Sequence, residues 1–186
     1  MKSNSIKRFL NALFKISEQY KINSRLVKLP YYIHMALIGL LLSDGSLERP
    51  SHTSAVRLSV VFGLKNSPYL LHLYNLLEPY TNSPPDVASV YNKQTNSNNM
   101  IVKFKTVSLP VLLFYHKMFY TFNSTSGKYI KTLPLKIQDL ITPVVLAHLI
   151  KGDGNFKPGD KIIRIYTNSF SKQEVEILAQ VITNKF

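Results

Sequence analysis

Two aspartates follow two similar apolar stretches and are the side chains in this sequence best placed to do chemistry. Asp44 follows LIGLLLS in residues 37–45, and Asp153 follows LAHLIKG in residues 146–154. Each Asp stands directly before a Gly, where a helix commonly stops. An Asp-Gly pair is also ordinary turn chemistry. Two such pairs after matching apolar stretches instead favour a shared site for a divalent metal such as Mg²⁺, which prefers oxygen ligands.

The apolar stretches themselves predict the helices that would position the two carboxylates. Residues 35–42 are all apolar or Gly, which indicates a helix packed on more than one side. We expect the first helix to run from about residues 31–34 to Ser43, and the second to begin at Pro143. Each stretch also carries a small residue, Gly or Ala, that would let the two helices cross closely.

The rest of the chain predicts an α+β fold with an internal repeat. Strands are predicted at residues 55–64, 87–91, 100–106 and 161–167, and further helices at residues 69–77 and 111–120. Residues 46–54 and 122–132 are predicted as loops, as is the segment after Gly154. A last helix is predicted after Ser171, with Glu174 as its capping-box partner. The second copy of the repeat is therefore predicted to be shorter than the first.

The repeated stretch resembles the nine-residue motif of the LAGLIDADG homing endonucleases of the two-motif, single-chain type. The resemblance implies pseudo-symmetric αββαββα repeats whose motif helices cross at the centre. It places a complete first repeat at residues 31–132 and a truncated second repeat at residues 133–186. It also implies that Asp44 and Asp153 are catalytic and bind Mg²⁺ during site-specific cleavage of double-stranded DNA.

Two lysines ahead of Leu133 and Pro134 match a basic residue that many members of this family carry. By this resemblance, Lys128 and Lys131 are candidate catalytic residues, because such a cation could stabilise charge that develops at the scissile phosphate. Taken one at a time, each is better read as a solvated loop lysine.

The net charge points to a polyanionic partner. The chain has 23 Lys and Arg against 10 Asp and Glu, a net charge of +13, so nucleic acid is the first expected partner and an anionic membrane surface the second. No apolar run reaches the roughly 18 residues of a membrane span, and the absence of Cys excludes disulfides and Cys-ligated zinc. The predicted nucleic-acid-binding residues lie on or beside strands: Arg57, Lys65, Lys103, Lys105, Lys161 and Arg164.

Residues 1–30 are basic and carry an approximate helical stripe of apolar side chains. They could form a helix packed on the body, a basic arm on phosphate or a transit peptide. The scarcity of Arg favours the arm or helix. Lys outnumbers Arg 18 to 5, a bias expected from an AT-rich coding sequence such as an organelle genome, and we therefore expect an organelle, in the first place the mitochondrion.

Two functions fit these patterns. One is Mg²⁺-dependent homing endonuclease activity on DNA. The other is non-catalytic RNA binding, as in an intron splicing cofactor or a structural subunit of an organellar ribonucleoprotein such as a mitochondrial ribosome. A short second repeat would weaken the grip on a duplex and leave a sheet edge for a partner to cover. We therefore expect nucleic-acid binding that survives Asp44→Asn and Asp153→Asn, with slow or absent double-strand cleavage.

Overall fold

The computed structural model describes residues 29–93 and 96–186, and within them the chain forms an α+β fold, as predicted. The α-helices are α1 (Tyr31–Leu42), α2 (Ser67–Leu77), α3 (Leu112–Phe119), α4 (Ile137–Leu140), α5 (Pro143–Asp153) and α6 (Lys172–Lys185). The strands are β1 (Ser46–Glu48), β2 (Arg57–Gly63), β3 (Asp86–Asn92), β4 (Ser97–Lys105), β5 (Tyr120–Asn123), β6 (Lys128–Lys131), β7 (Gly154–Lys157) and β8 (Ile162–Ile165). The predicted basic arm lies, up to residue 28, outside the described residues.

The core lies between a four-stranded antiparallel sheet and the helices that cover one of its faces. The strand order is β1-β2-β4-β3. Along β2 and β4 alternate side chains, among them Val60, Phe62 and Phe104, point into the core, and most of the other face is open to solvent. Helix α1 is buried along nearly its whole length, from Ile33 to Leu42. Its continuous apolar run is thus explained by packing on more than one side.

The two motif helices, α1 and α5, cross in direct contact at two glycines. A Cβ atom on Gly39 would lie 2.5 Å from the carbonyl oxygen of Val145 and 2.6 Å from the Cβ of His148. A Cβ atom on Gly152 would lie 2.6 Å from the Cβ of Ser43. Only glycine leaves room for backbones this close, so these two residues set the distance between the helices.

Three segments predicted as loops contain strands. Strand β1 occupies residues 46–48, the hairpin β5–β6 lies largely within residues 122–132, and β7 begins at Gly154. Each is short, three or four residues, and is defined by its antiparallel partner rather than by its own periodicity. In the hairpin the partner pairs place aromatic rings side by side, with Phe122 opposite Tyr129.

The C-terminal third of the described chain is more open than the part that precedes it. Strands β7 and β8 form a two-stranded sheet, and α5 buries fully only Val145 and Leu149. Helix α6 begins with the predicted capping box between Ser171 and Glu174, which is confirmed. Glu174 also accepts a hydrogen bond from the backbone N–H of Leu133 at 2.7 Å, so the cap ties α6 to the segment before α4.

Candidate functional site

The ends of the two motif helices bring the carboxylates of Asp44 and Asp153 side by side in one cleft. Asp44 lies two residues beyond the end of α1, and Asp153 is the last residue of α5. The start of α5 is fixed locally, because the Thr142 hydroxyl accepts a hydrogen bond from the N–H of Val145 at 3.2 Å. The sequence prediction that two helices deliver one carboxylate each to a common point thus agrees with the geometry.

Burial and mutual repulsion make the carboxylate pair hard to ionise fully. Burial, followed by the nearby charge of Asp44, raises the pKa of Asp153 to about 6. Burial also raises the pKa of Asp44, while Lys131 and the hydrogen bond with Asp153 oppose that rise. Two carboxylates this close share a proton before both become charged. A cation bound between them would remove the repulsion.

We expect Asp153→Asn to stabilise the metal-free protein more at about pH 7 than at about pH 4. Because folding raises the pKa of Asp153 from 3.8 to about 6, the folded state binds this proton more tightly than the unfolded state. The free energy of unfolding therefore falls as the pH rises through this interval, and Asn removes that fall. Melting temperatures across the pH series check this, with Asp160→Asn in the exposed β7–β8 turn as the control. A difference in melting temperature between Asp153→Asn and wild type that stays constant with pH contradicts the prediction.

Lys131 is held beside the carboxylates by two backbone carbonyl groups. Its Nζ donates hydrogen bonds to the carbonyl oxygens of Ser43 at 2.8 Å and Gly45 at 2.9 Å. Burial lowers the pKa of Lys131 to about 8, and the charges of Asp153 and Asp44 limit that fall. Of the two candidate lysines, Lys131 is therefore the one that the structure brings to the acids.

The other candidate, Lys128, lines a separate cavity on the same hairpin.

The cleft around the acids has a volume of about 490 Å³. Sequence reasoning missed several of its polar lining residues: Ser46, Tyr120, Tyr129, Tyr166, Asn168 and Ser169. Of these, only Tyr166, Asn168 and Ser169 lie on or beside a predicted strand, and the hairpin that carries Tyr129 was not predicted at all.

The donor atoms at the cleft fit a hard divalent cation. Among the described residues, no cluster of three or more His, Cys, Asp or Glu side chains could hold a metal. The described residues of the cleft offer two carboxylates, Asp44 and Asp153, so a bound cation would take its other ligands from water and substrate. Mg²⁺ is commonly bound by one or two carboxylates together with phosphate oxygens and water, whereas structural Zn²⁺ takes four protein ligands. These residues fit Mg²⁺.

The open face of the four-stranded sheet carries three of the predicted nucleic-acid-binding residues. Lys103 and Lys105 lie on that face of β4, opposite the buried side chains, and Arg57 lies on the same face of β2. Each is already paired with an acid. Glu48 contacts both Arg57 at 2.7 Å and Lys105 at 2.8 Å, and Asp86 lies 3.6 Å from Lys103. The face is therefore less positive than its Lys and Arg content indicates.

We expect Glu48→Gln to strengthen nucleic-acid binding, because it frees Arg57 and Lys105 for phosphate. Each cation that gains a phosphate contact steepens the log–log salt dependence by about 0.9, so the slope should steepen by about one to two. Fluorescence anisotropy over a salt series measures it. Glu176→Gln, which removes an exposed acid 3.8 Å from Lys172 on α6, is the control and should leave the slope unchanged. Weaker binding by Glu48→Gln would show that the ion pairs do not compete with phosphate.

The other predicted binding residues lie away from that face. Lys65 sits in the short 3₁₀ turn after β2. Arg164 is exposed on β8, opposite Asn155 of β7. Lys161 was predicted on a strand, but it lies in the turn before β8 with a φ of 52°. A backbone in that left-handed region cannot continue a strand, so that prediction is wrong.

Comparisons with known proteins agree with the motif. The family model described as the LAGLIDADG DNA endonuclease family matches residues 34–186. DNA endonuclease I-ChuI of Chlamydomonas applanata is 33% identical over 140 residues, which cover 73% of this chain and 64% of that protein. A probable intron-encoded endonuclease of Wickerhamomyces canadensis is 29% identical over 159 residues, covering 81% and 64%. The chain thus spans 64% of the length of either relative.

A maturase and a solved structure extend the comparison. Cytochrome b mRNA maturase bI2 of Saccharomyces cerevisiae is 26% identical over 167 residues, which cover 89% of this chain and 39% of that protein. The solved structure of the homing endonuclease I-WcaI bound to its DNA recognition sequence superposes with a TM-score of 0.74. The two are 22% identical, and the match covers 91% of this chain and 73% of that one. This likeness supports the fold.

Proposed function

Because the chain belongs to the LAGLIDADG DNA endonuclease family, we propose that it binds DNA and hydrolyses a phosphodiester bond at Asp44 and Asp153. The observation that carries this proposal is the contact between these two carboxylates at the ends of the crossing helices. Relatives described as endonucleases support the same chemistry. The Mg²⁺ dependence is part of the proposal and rests on the oxygen-only donor set.

The residues of the cleft have different roles in the proposed hydrolysis. Asp44 and Asp153 would hold the divalent metal, which when bound would supply an activated water and offset charge on the leaving oxygen. Asp153 must release its shared proton for both carboxylates to bind the cation. Lys131 offsets the negative charge of the two acids and, through its bonds to Ser43 and Gly45, fixes the turn that carries Asp44. Such fixed geometry provides much of an enzyme's rate.

The open face of the four-stranded sheet is the proposed surface for the duplex. Its strands carry Arg57, Lys103 and Lys105, which can exchange their acidic partners for phosphates. Phosphate contacts of this kind position a protein on DNA, and polar side chains on the same face can read base edges. The two-stranded sheet β7–β8 would contact the duplex on the other side with Arg164. Slow cleavage of double-stranded DNA by this chain is still a prediction.

A cleavage assay over a randomised duplex library with Mg²⁺ tests this function. We expect a discrete set of sequences to be cut, with no cutting when EDTA removes the metal. Binding without any cutting after long incubation would contradict the proposed hydrolysis and favour the second candidate function, RNA binding. That second function has support from the relative described as a cytochrome b mRNA maturase.

A protein partner at a sheet edge and a location in an organelle are predictions that the structure and the relatives support. Strand β8 has β7 as its one strand partner within the described residues, and Phe156 on β7 and Ile163 on β8 are more than half exposed. A further polypeptide strand would cover this edge.

No helix of the described chain has the length and apolar character needed to cross a membrane. The Lys-rich composition and the maturase relative support an organelle, in the first place the mitochondrion.

A further inference from the structure

A second cavity, here called the hairpin cavity, lies beside the carboxylate cleft and shares two of its lining residues. Its volume is about 420 Å³, within the range of roughly 300–1,000 Å³ found for small-molecule sites. Tyr120 and Tyr129 line both this cavity and the cleft that contains Asp44. The hairpin β5–β6 forms one side and the loop after β1 forms another. The proposed hydrolysis leaves this cavity without a role.

Aromatic rings line the hairpin cavity. Phe122 and Tyr129 are cross-strand neighbours with ring centroids 5.3 Å apart. The ring of His52 packs edge-on against Phe122 at 4.6 Å and against Tyr129 at 5.5 Å. Phe122 is nevertheless 42% exposed, so part of its ring is open to a ligand. Flat rings of this kind stack on any nucleobase, because every base has a π face.

The ring of a buried histidine in the same cavity makes no hydrogen bond with any residue that the structure describes. His116 is 1% exposed, stacks on Tyr120 at 4.9 Å and meets the ring of Tyr129 edge-on at 4.5 Å. No hydrogen bond from another described residue reaches its ring nitrogens. Burial, followed by the charge of Arg49, lowers the pKa of His116, so the neutral ring offers one donor and one acceptor. A buried polar group without a partner is costly, and a ligand with a donor–acceptor edge would satisfy it.

Two cations flank the aromatic rings. The guanidinium of Arg49 lies 5.8 Å from the centroid of the Tyr129 ring and donates to its hydroxyl at 3.2 Å. Lys128 is exposed and forms no ion pair with a described acidic residue. We propose that the hairpin cavity binds one unpaired nucleotide of a single strand, with its base on Phe122 and beside His116 and its phosphate on Lys128.

This site reads a different nucleic-acid state from the proposed duplex surface. A base inside a duplex is stacked and paired, so it reaches such a cavity only after being flipped out at a cost in free energy. Single-stranded RNA or DNA presents bases without that cost. Because the hairpin cavity shares Tyr120 and Tyr129 with the cleft, a bound nucleotide would place its strand next to the carboxylate pair.

Fluorescence anisotropy with short labelled single strands, about six nucleotides long, tests the proposal on the full chain. One strand carries bases and the other is abasic, so both carry the same phosphates. We expect the wild type to bind the strand with bases at least about fivefold more tightly. Phe122→Leu keeps an apolar side chain without the π face and should bring this ratio close to one. Phe114→Leu, at an aromatic residue that is 59% exposed on α3, is the matched control and should keep the ratio.

Ribose and deoxyribose versions of both strands identify the source of the nucleotide. A larger ratio for ribose strands assigns the site to RNA, and equal ratios assign it to any unpaired nucleotide. Equal binding of base-containing and abasic strands by the wild type overturns the proposal, as does a ratio that Phe122→Leu leaves unchanged. Duplex binding and cleavage are measured on the same samples. Phe122→Leu should leave both unchanged. Failure of the single-strand proposal can therefore be told apart from failure of the proposed DNA hydrolysis.

A second variant covers the case in which Phe122→Leu unfolds the hairpin, as judged by circular dichroism. Lys128→Gln changes an exposed side chain and should weaken binding of both single strands. The log–log salt dependence should flatten by about 0.7 for one lost phosphate contact on a single strand. Unchanged affinity and an unchanged slope in Lys128→Gln overturn the proposed phosphate contact and with it the site.

Discussion

Asp44→Asn and Asp153→Asn should each lower the cleavage rate by about a hundredfold to a thousandfold or more, the scale seen when one group that stabilises transition-state charge is removed. An amide oxygen is a weaker ligand than a carboxylate, and the metal would be left with one anionic protein ligand. Duplex affinity should change by less than about threefold, because it rests on phosphate contacts spread over the sheet face. Single-turnover cleavage of a duplex recovered from the randomised library measures the rate, and anisotropy measures the affinity.

The exposed Asp86 of β3 provides the matched control for both variants. Asp86→Asn removes a carboxylate that lies 3.6 Å from Lys103 and is remote in sequence from both motif helices. Its cleavage rate per bound duplex should stay at the wild-type level. Equal losses in Asp86→Asn and Asp44→Asn would indicate a general effect of charge rather than a metal site, and would count against the assigned roles.

Gly39→Ala should destabilise the protein by about 1–3 kcal/mol and also slow cleavage. In an exposed helix, Ala would stabilise by roughly 0.5–1 kcal/mol relative to Gly. Here the added methyl group would lie 2.5 Å from the backbone oxygen of Val145 and 2.6 Å from the Cβ of His148, so the helices must move apart. Their separation carries Asp44 away from Asp153, and a shift of about 1 Å can cost about a hundredfold in rate. Urea unfolding and the cleavage assay measure the two effects.

Gly159→Ala is the control for Gly39→Ala. A Cβ atom on Gly159 would meet nothing within 4 Å, and a surface change of this kind is usually worth less than about 0.5 kcal/mol. If Gly39→Ala proves as stable and as active as Gly159→Ala, the helix crossing does not set the distance between the carboxylates.

The motif helices and their acids could be predicted because their signals are local and repeated. Residues 35–42 form an apolar run that admits few structures other than a buried helix, and the Asp-Gly pairs mark where each helix ends. The capping box of α6 is likewise a local pattern, and it was predicted correctly. Packing of Gly39 against α5 followed from the same motif, as did a position for His148 at the helix interface, where the structure places it against Gly39.

Features that depend on partners distant in sequence could not be predicted. The β5–β6 hairpin was read as a polar loop because its strands have four residues each and its aromatic pair, Phe122 and Tyr129, is visible only once the strands are aligned. The contacts of Lys131 with the carbonyl oxygens of Ser43 and Gly45 span more than 80 residues. Pairing of Glu48 with cations on β2 and β4 was hidden for the same reason, since β1 itself was not predicted.

Metal binding by the protein–duplex complex shows whether Asp44 and Asp153 form one metal site. Electron paramagnetic resonance can follow Mn²⁺, a common substitute for Mg²⁺ at oxygen sites, as it is titrated into the protein bound to its selected duplex. We expect a bound Mn²⁺ whose affinity both single Asn variants lower strongly, that the double variant loses, and that Asp86→Asn retains. Undiminished Mn²⁺ binding by the double variant would rule out a metal site at Asp44 and Asp153, because the metal would then lie elsewhere.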